Sequence, residues 1–328
     1  MVEVNVVNLL QDGKIGLAPM EGVIDATTRD LLTRIPGFDW AVTEFVRVVD
    51  ARLPPRVFRK HCPELDSAPV ATPSGVPVHL QLLGSQPEAL ATNARQALAL
   101  GAISIDLNFG CPAKIVNRHD GGASMLRRPD RLHQAVQAVA DAVGEHIPVT
   151  AKIRLGFADR RLALECALAV EAGGARQLVV HGRTRDEGYR PPAHWEWIGK
   201  IHHRLRIPVV ANGDIWTLED YWKARTLSGC RDVMLGRGAL ADPWLAARIR
   251  HWQATGERLP ATTWAMQADM LQRYAARQSQ SLPPRVVVSL VKQWLAQMRL
   301  RSQEVETRFQ QLKRITDLAI LLEVLRAA

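Results

Sequence analysis

Five short runs carry side chains that can do chemistry together. The run Asp106-Leu107-Asn108-Phe109-Gly110-Cys111-Pro112-Ala113-Lys114 puts a thiol between glycine and proline, which favour a tight, fixed turn. A thiol with the ordinary pKa of about 8.5 is mostly protonated at neutral pH, so Cys111 reads as a proton donor. Lys152 sits mid-run in Thr-Ala-Lys-Ile-Arg. A buried ammonium needs a partner, and an anionic cofactor or intermediate, Glu44 or Asp106 would each supply one. His181, in Val-Val-His-Gly-Arg, is either a site residue or a satisfied core histidine. The turns Asn212-Gly213-Asp214 and Gly236-Arg237-Gly238 suit a phosphate held by backbone N–H groups, with Arg237 adding a charge-assisted hydrogen bond. Each is, by itself, also an ordinary turn. Cys166, among alanines and leucines, and Cys230, in Ser-Gly-Cys-Arg-Asp, read as packing or surface residues, and Cys62 is unassigned.

These residues need a scaffold, and the apolar pattern supplies one. Eight β-rich runs recur at 14–19, 41–46, 77–84, 103–110, 148–156, 177–183, 208–215 and 232–238. Their apolar stretches are nearly continuous, as strands covered on both faces require. Helix-like stretches lie between most of them, at 87–102, 128–146 and 160–175, the last ending in Gly-Gly. Eight alternations predict an α/β fold, a closed (β/α)8 TIM barrel. The absence of G-x-G-x-x-G after the first run weighs against a dinucleotide-binding sheet. Active sites of such barrels lie at the C-terminal ends of the strands, where the polar residues of these runs collect.

The pattern changes at residue 240, which predicts a catalytic domain over 1–240 and a small all-helical domain over 241–328. From Leu240 on there is helical periodicity, at 286–300 and 308–328, with a break at 279–285. This segment holds 13 basic and 7 acidic residues, a net +6 of the chain's +9. Such a surface either faces water or tracks phosphates. A hydrophobic fraction of 47% and a charged fraction of 23% exclude a disordered, collagen-like or coiled-coil chain. The four cysteines form no C-x-x-C and no zinc spacing, so we expect reduced thiols, no metal and a cytoplasmic protein. Residues 1–14 lack a secretory n-region, and no apolar run is long enough to span a membrane.

Taken in order, the runs APMEG (18–22), TEF (43–45), QLLG (81–84), DLNFGCPAK (106–114), DGGASML (120–126), KIRLG (152–156), VVHGRT (179–184), ANGDI (211–215) and GRGAL (236–240) resemble the tRNA-dihydrouridine synthases. These are flavoenzymes with an FMN-binding barrel and a helical domain. TEFVRVVD (43–50) and KQWL (292–295) look most like the bacterial C-type branch. The resemblance implies reduction of the C5=C6 bond of a D-loop uridine, position 16, with non-covalent FMN and NADPH as transient hydride donor. It implies that Ala18, Pro19 and Met20 pack along the flavin and that Gln81 bonds its pyrimidine edge. Lys152 would stabilise negative charge on the ring, with His181 nearby, and Asn212, Gly213, Asp214, Gly236 and Arg237 would form the phosphate end. Cys111 would be the general acid and Asn108 a contact to the target base. Arg47, Tyr189, Arg285, Lys292, Arg299 and Lys313 would contact tRNA, the expected partner of a monomeric enzyme. A competing reading is an FMN barrel acting on a free pyrimidine or dihydroorotate with Cys111 as base. It shares the cofactor site but leaves the basic helical segment unexplained. A non-catalytic RNA-binding barrel is a third, against which Lys152, Cys111 and His181 together argue.

Overall fold

The structure is a computed structural model that describes residues 13–118 and 120–326. The N-terminal stretch read for a secretory signal lies outside these residues up to position 12, as do the last two residues of the 308–328 run. Nine parallel strands are present: β1 (Ile15–Leu17), β2 (Trp40–Val42), β3 (Val46–Arg47), β4 (Val78–Leu83), β5 (Ile105–Phe109), β6 (Val149–Arg154), β7 (Gln177–His181), β8 (Val209–Asn212) and β9 (Asp232–Leu235). Their order is β2-β1-β9-β8-β7-β6-β5-β4-β3, and a β2–β4 pairing closes the ring. All eight expected strands are found. The one over 41–46 appears as β2 and β3, because the register against β4 slips by one residue between Val42–His79 and Val46–Leu82, as a bulge does. Thr43 Oγ1 accepts the Gln81 N–H at 3.0 Å, and Glu44 accepts the Gly22 N–H.

The near-continuous apolar runs have the anticipated cause. One set of side chains packs outward against helices such as Pro87–Ala99 and Pro129–Val143, each opened by a proline at its first position, where its missing N–H is harmless. The other set fills the barrel, where Ala18, Trp40, Val42, Val179, Val210 and Met234 form an apolar floor. Above it the strand register brings polar residues level: Asn108 pairs with Lys152, Arg154 with His181, and His181 with Asn212.

After β9 the described residues are helical. The helix Leu245–Thr255, past the boundary expected at residue 240, still packs on the barrel. Its Arg250 donates to Gly13 O at 2.8 Å and Gly37 O at 3.2 Å. The helices Trp264–Gln278, Pro284–Met298, Gln303–Leu312 and Leu318–Arg326 follow. The expected break at 279–285 falls between the first two. The run at 308–328 is interrupted, because Asp317 starts a new helix by accepting the Ile320 N–H at 3.0 Å.

The helical segment is fastened to the barrel rim. Trp294 is buried and donates from Nε1 to Leu240 O at 3.1 Å, and its ring stands edge-on to Tyr274 at 5.0 Å. Gln278 Nε2 donates to Asp25 Oδ2 at 2.6 Å, Arg277 pairs with Asp30, and Gln293 Nε2 donates to Gly22 O at 3.2 Å. Replacing Trp294 by alanine removes a buried ring and orphans a carbonyl. We expect Trp294→Ala to lose about 3–5 kcal/mol of stability in urea unfolding. A loss below about 1 kcal/mol would show that the indole does not carry the docking.

Candidate active site

At the C-terminal mouth of the barrel lies a cavity of about 530 Å³. Its construction starts from Asp106, a fully buried carboxylate on β5. Gln81 Nε2 and Thr150 Oγ1 both donate to it at 2.6 Å. Burial raises its pKa, and these two bonds and Lys152 oppose the rise. Gln81 Oε1 in turn accepts from Asn108 Nδ2 at 2.8 Å. Asn108 Oδ1 accepts the backbone N–H of Gly110 and of Cys111, each at 2.9 Å. A continuous relay of bonds thus runs from the barrel interior to the Cys111 turn. Asn108, expected to touch a target base, has its carbonyl oxygen spent on holding that turn.

Cys111 is half-buried. Its carbonyl accepts from Ala123 N and Asn117 Nδ2, both at 3.1 Å. Gly122, with φ +59°, lies so close that a Cβ there would stand 2.9 Å from this carbonyl. Burial pushes the Cys111 thiol pKa up, and the charge of Glu21 adds to the rise against the Ala113 backbone bond. The thiol is therefore protonated at neutral pH and suited to give a proton away. Cys62, Cys166 and Cys230 are buried, with pKa values pushed up to about 12, 12 and 11 respectively.

The adjoining wall, from β6 onward, is cationic. Lys152 Nζ donates to Asn212 Oδ1 at 2.9 Å. Neither Glu44 nor Asp106 is its hydrogen-bond partner, because Glu44 is taken by Gly22 and Asp106 by Gln81 and Thr150. Burial first, and then repulsion from Arg154, lower the Lys152 pKa to about 7. Burial and the surrounding Arg154, Lys152, Arg183 and Arg237 hold His181 neutral, and its Nδ1 has no partner among the described residues. Asp214 was expected at a phosphate end. It lines the cavity and pairs with Arg183 and, at 3.3 Å, with Arg237, so its charge is spent on two guanidinium groups.

All eleven expected cofactor residues line this one cavity, from Ala18, Pro19 and Met20 to Gly236 and Arg237. Asn108, Cys111 and Tyr189 line it too. Tyr189 is exposed at the rim, edge-on to His181 at 6.3 Å and under the Arg237 guanidinium at 4.7 Å. Arg47 lies outside it, in a neighbouring groove, where it donates to Ile115 O at 3.4 Å. Of the helical residues, Arg285 and Lys313 are exposed. Lys292 is used within the helical segment, donating to Lys313 O at 2.9 Å. Arg299 pairs with Glu306 at 3.1 Å and covers the Phe309 ring at 4.3 Å. Trp216 and Gln297 also line the cavity and went unmarked. Trp216 follows a marked turn, but nothing in the local sequence singles out a glutamine on an amphipathic helix.

The cavity suits a planar, anionic ligand carrying a phosphate. It offers a desolvated amine without an anionic bond partner, an unpartnered imidazole nitrogen, and two glycine turns. Gly213 has φ +112°, and a Cβ on Gly236 would meet only Met20 and Ala18, at 3.6 and 3.7 Å. A side chain there would fill the cradle. Among the described residues no group of three His, Cys, Asp or Glu side chains is placed to hold a metal ion, and no helix is long and apolar enough to cross a membrane.

The family described as dihydrouridine synthase matches residues 16–328. A Ralstonia nicotianae protein named tRNA-dihydrouridine(16) synthase is 47% identical over 313 residues, 95% of each chain. Proteins of the same name from Pseudomonas putida and a serogroup A Neisseria meningitidis are 46% identical over 312 residues and 42% identical over 321 residues. They cover 95% and 97% of this chain, and 96% and 95% of their own. Among solved structures, histamine dehydrogenase from Rhizobium sp. 4-9 superposes with a TM-score of 0.53 at 14% identity. It covers 80% of this chain and 48% of its own, a likeness of fold.

The thiol environments give a direct test. Under native conditions an alkylating reagent should modify one cysteine per chain, Cys111, and its rate should still be climbing above pH 9, since the reactive thiolate forms only there. Peptide mapping that finds Cys62, Cys166 or Cys230 labelled first, or a rate already level by pH 8, would contradict the assigned environments.

Proposed function

The chain belongs to the dihydrouridine synthase family, and from that premise we propose that it reduces the C5=C6 bond of uridine 16 in the D-loop of tRNA, using non-covalent FMN and NADPH. The observation that carries this reading is a protonated, turn-anchored Cys111 in the same cavity as the cationic set Lys152, Arg154 and Arg237. FMN, when bound, would supply the hydride for C6 of the uracil, with NADPH as its source. The chain's residues do the rest. Lys152 and Gln81 would hold the ring, with Ala18, Pro19 and Met20 along it. Gly213, Gly236 and Arg237 would take the phosphate, with Arg237 aimed by Asp214. Hydride addition at C6 leaves negative charge on C5 and O4. The Cys111 thiol gives its proton to C5, and the resulting thiolate takes a proton from water. A raised thiol pKa favours that recovery. Asn108 and Arg154 act as positioning residues, since Arg154 Nε donates to Gly110 O at 2.8 Å and Asn108 holds the next N–H groups.

A uridine in folded tRNA must be turned out to enter this cavity, which calls for a second surface that grips the RNA. We assign that surface to the helical segment. The division from the catalytic domain then lies between Thr255 and Trp264, because the helix ending at Thr255 belongs to the barrel wall. Tyr189 and Arg47 flank the mouth.

The decisive assay incubates the protein with unmodified tRNA and NADPH and maps dihydrouridine. Product at position 16 supports the reading, and its absence from flavin-loaded protein refutes it. Cys111→Ala should leave flavin reduction by NADPH near wild type while dihydrouridine formation slows about 10²- to 10⁴-fold, the usual contribution of a positioned acid. Equal rates would assign the proton to another group. Neutralising Arg285 and Lys313 together should weaken tRNA binding and flatten its salt dependence by about two counterions, whereas Lys292→Met, whose amine caps a helix, should change that slope less. An unchanged slope in the double variant would remove the helical segment from RNA binding.

A further inference from the structure

One cavity residue comes from the helical segment, and the reaction as assigned gives it no task. Gln297 lies one turn past Gln293 on the helix Pro284–Met298. Gln293 bonds Gly22 O and Trp294 bonds Leu240 O, so the helix is pinned over the rims of β1 and β9. Four residues on, the face that carries Gln293 delivers Gln297 to the cavity wall. Its Oε1 is buried and has no donor among the described residues. A buried acceptor left unpaired carries the full cost of its desolvation, so the site is built for a donor from outside the chain.

We propose that Gln297 recognises the target uridine through the imide edge of its base, an assignment that rests on the uridine-reductase reading above. The chemistry is complementary. A primary amide presents an acceptor, Oε1, beside a donor, Nε2. Uracil presents its N3–H beside its O2 carbonyl, so two parallel hydrogen bonds form. Cytosine, which offers only acceptors on that edge, leaves the buried acceptor unpaired and is rejected. The sheet order agrees. Around the closed ring β9 stands four strands and β1 three from β5, so the stretch of rim spanned by this helix lies across the mouth from the turn that bears Cys111. In the uracil ring C2 is opposite C5. A base whose C5 is turned to Cys111 therefore directs its C2–N3 edge toward the wall from which Gln297 enters. The helical segment thus contributes to base selection inside the cavity as well as to holding RNA outside it.

The test uses full-length, flavin-loaded enzyme and a tRNA transcript, with dihydrouridine as readout. Gln297→Met keeps the side-chain length and removes both hydrogen bonds. It should raise KM for tRNA about tenfold and leave kcat within about threefold, as the loss of interactions already made in the bound state predicts. Gln297→Glu should be equally weak at pH 8 and should recover toward wild type, compared at each pH, as acidification protonates the new carboxyl group and restores a donor beside an acceptor. A merely structural role would show no such recovery. An unchanged KM in Gln297→Met, or a Gln297→Glu deficit that does not move with pH, overturns the assignment. Loss of bound flavin in Gln297→Met, with tRNA kinetics normal once flavin is resupplied, overturns it in favour of a cofactor contact. Wild-type enzyme that forms no dihydrouridine refutes the underlying reaction, whereas active wild type with an indistinguishable Gln297→Met refutes this inference alone.

Discussion

The mouth of this barrel is organised by one electrostatic constraint: Lys152 and Arg154, two residues apart on one strand, are both withdrawn from water on the same side. Two like charges so placed raise each other's cost: burial, and after it the charge of Arg154, lower the Lys152 pKa to about 7. The protein does not relieve this with a carboxylate. The one carboxylate inside the barrel at this level, Asp106, is held by Gln81 and Thr150, and Asp214 is held by Arg183 and Arg237. Lys152 is left with a neutral amide from Asn212. An anion arriving from outside is therefore stabilised by groups already desolvated and oriented, which is the condition under which fixed charges act most strongly.

The same withdrawal from water sets the state of the other titratable groups. His181, ringed by four cations, stays neutral, and the Cys111 thiol stays protonated. A neutral imidazole and a neutral thiol thus stand beside several cations in one cavity, the arrangement that the proposed reaction calls for. Geometry is fixed with equal economy. Arg154 ties the Cys111 turn to the loop after β7 by donating to Gly110 O, Thr184 O and Gly188 O at 2.8, 3.1 and 2.9 Å. Asn108 fixes the turn from the barrel side. One strand register therefore places both the cations and the Cys111 turn.

The helical segment is joined to this arrangement through backbone carbonyls and buried rings, with few exposed ion pairs. Gly22 accepts from Gln293 and donates to Glu44, so a single residue links the helix, β1 and the strand pair β2 and β3. Docking at Gly22 and Leu240 positions Gln297, and it leaves Arg285 and Lys313 facing outward. The division of cationic residues follows from this packing. Lys292 is turned onto the Lys313 carbonyl and Arg299 onto Glu306, whereas Arg285 and Lys313 stay exposed.

Local sequence determined much of this protein. Eight buried β runs with helices between them specify a parallel barrel, because strands covered on both faces must read as continuous apolar runs. The polar residues at their C-terminal ends then belong to one rim, and all eleven expected cofactor residues do line one cavity. Gly-Cys-Pro marked Cys111 by its turn, and the helix break at 279–285 was visible in its prolines. Partnerships were not legible in this way. That Lys152 bonds Asn212, that Asn108 spends its carbonyl oxygen on the Cys111 turn, that Asp214 serves two arginines and that Lys292 and Arg299 bind within their own segment are facts of side-chain direction between residues far apart in the chain. Gln297 is the extreme case. Its amide has no local signature, and it enters the cavity because two neighbours on its helix anchor to the barrel rim. Periodicity and turn chemistry are properties of a few consecutive residues, whereas which donor meets which acceptor is decided by the closed ring and by the helix packed across it.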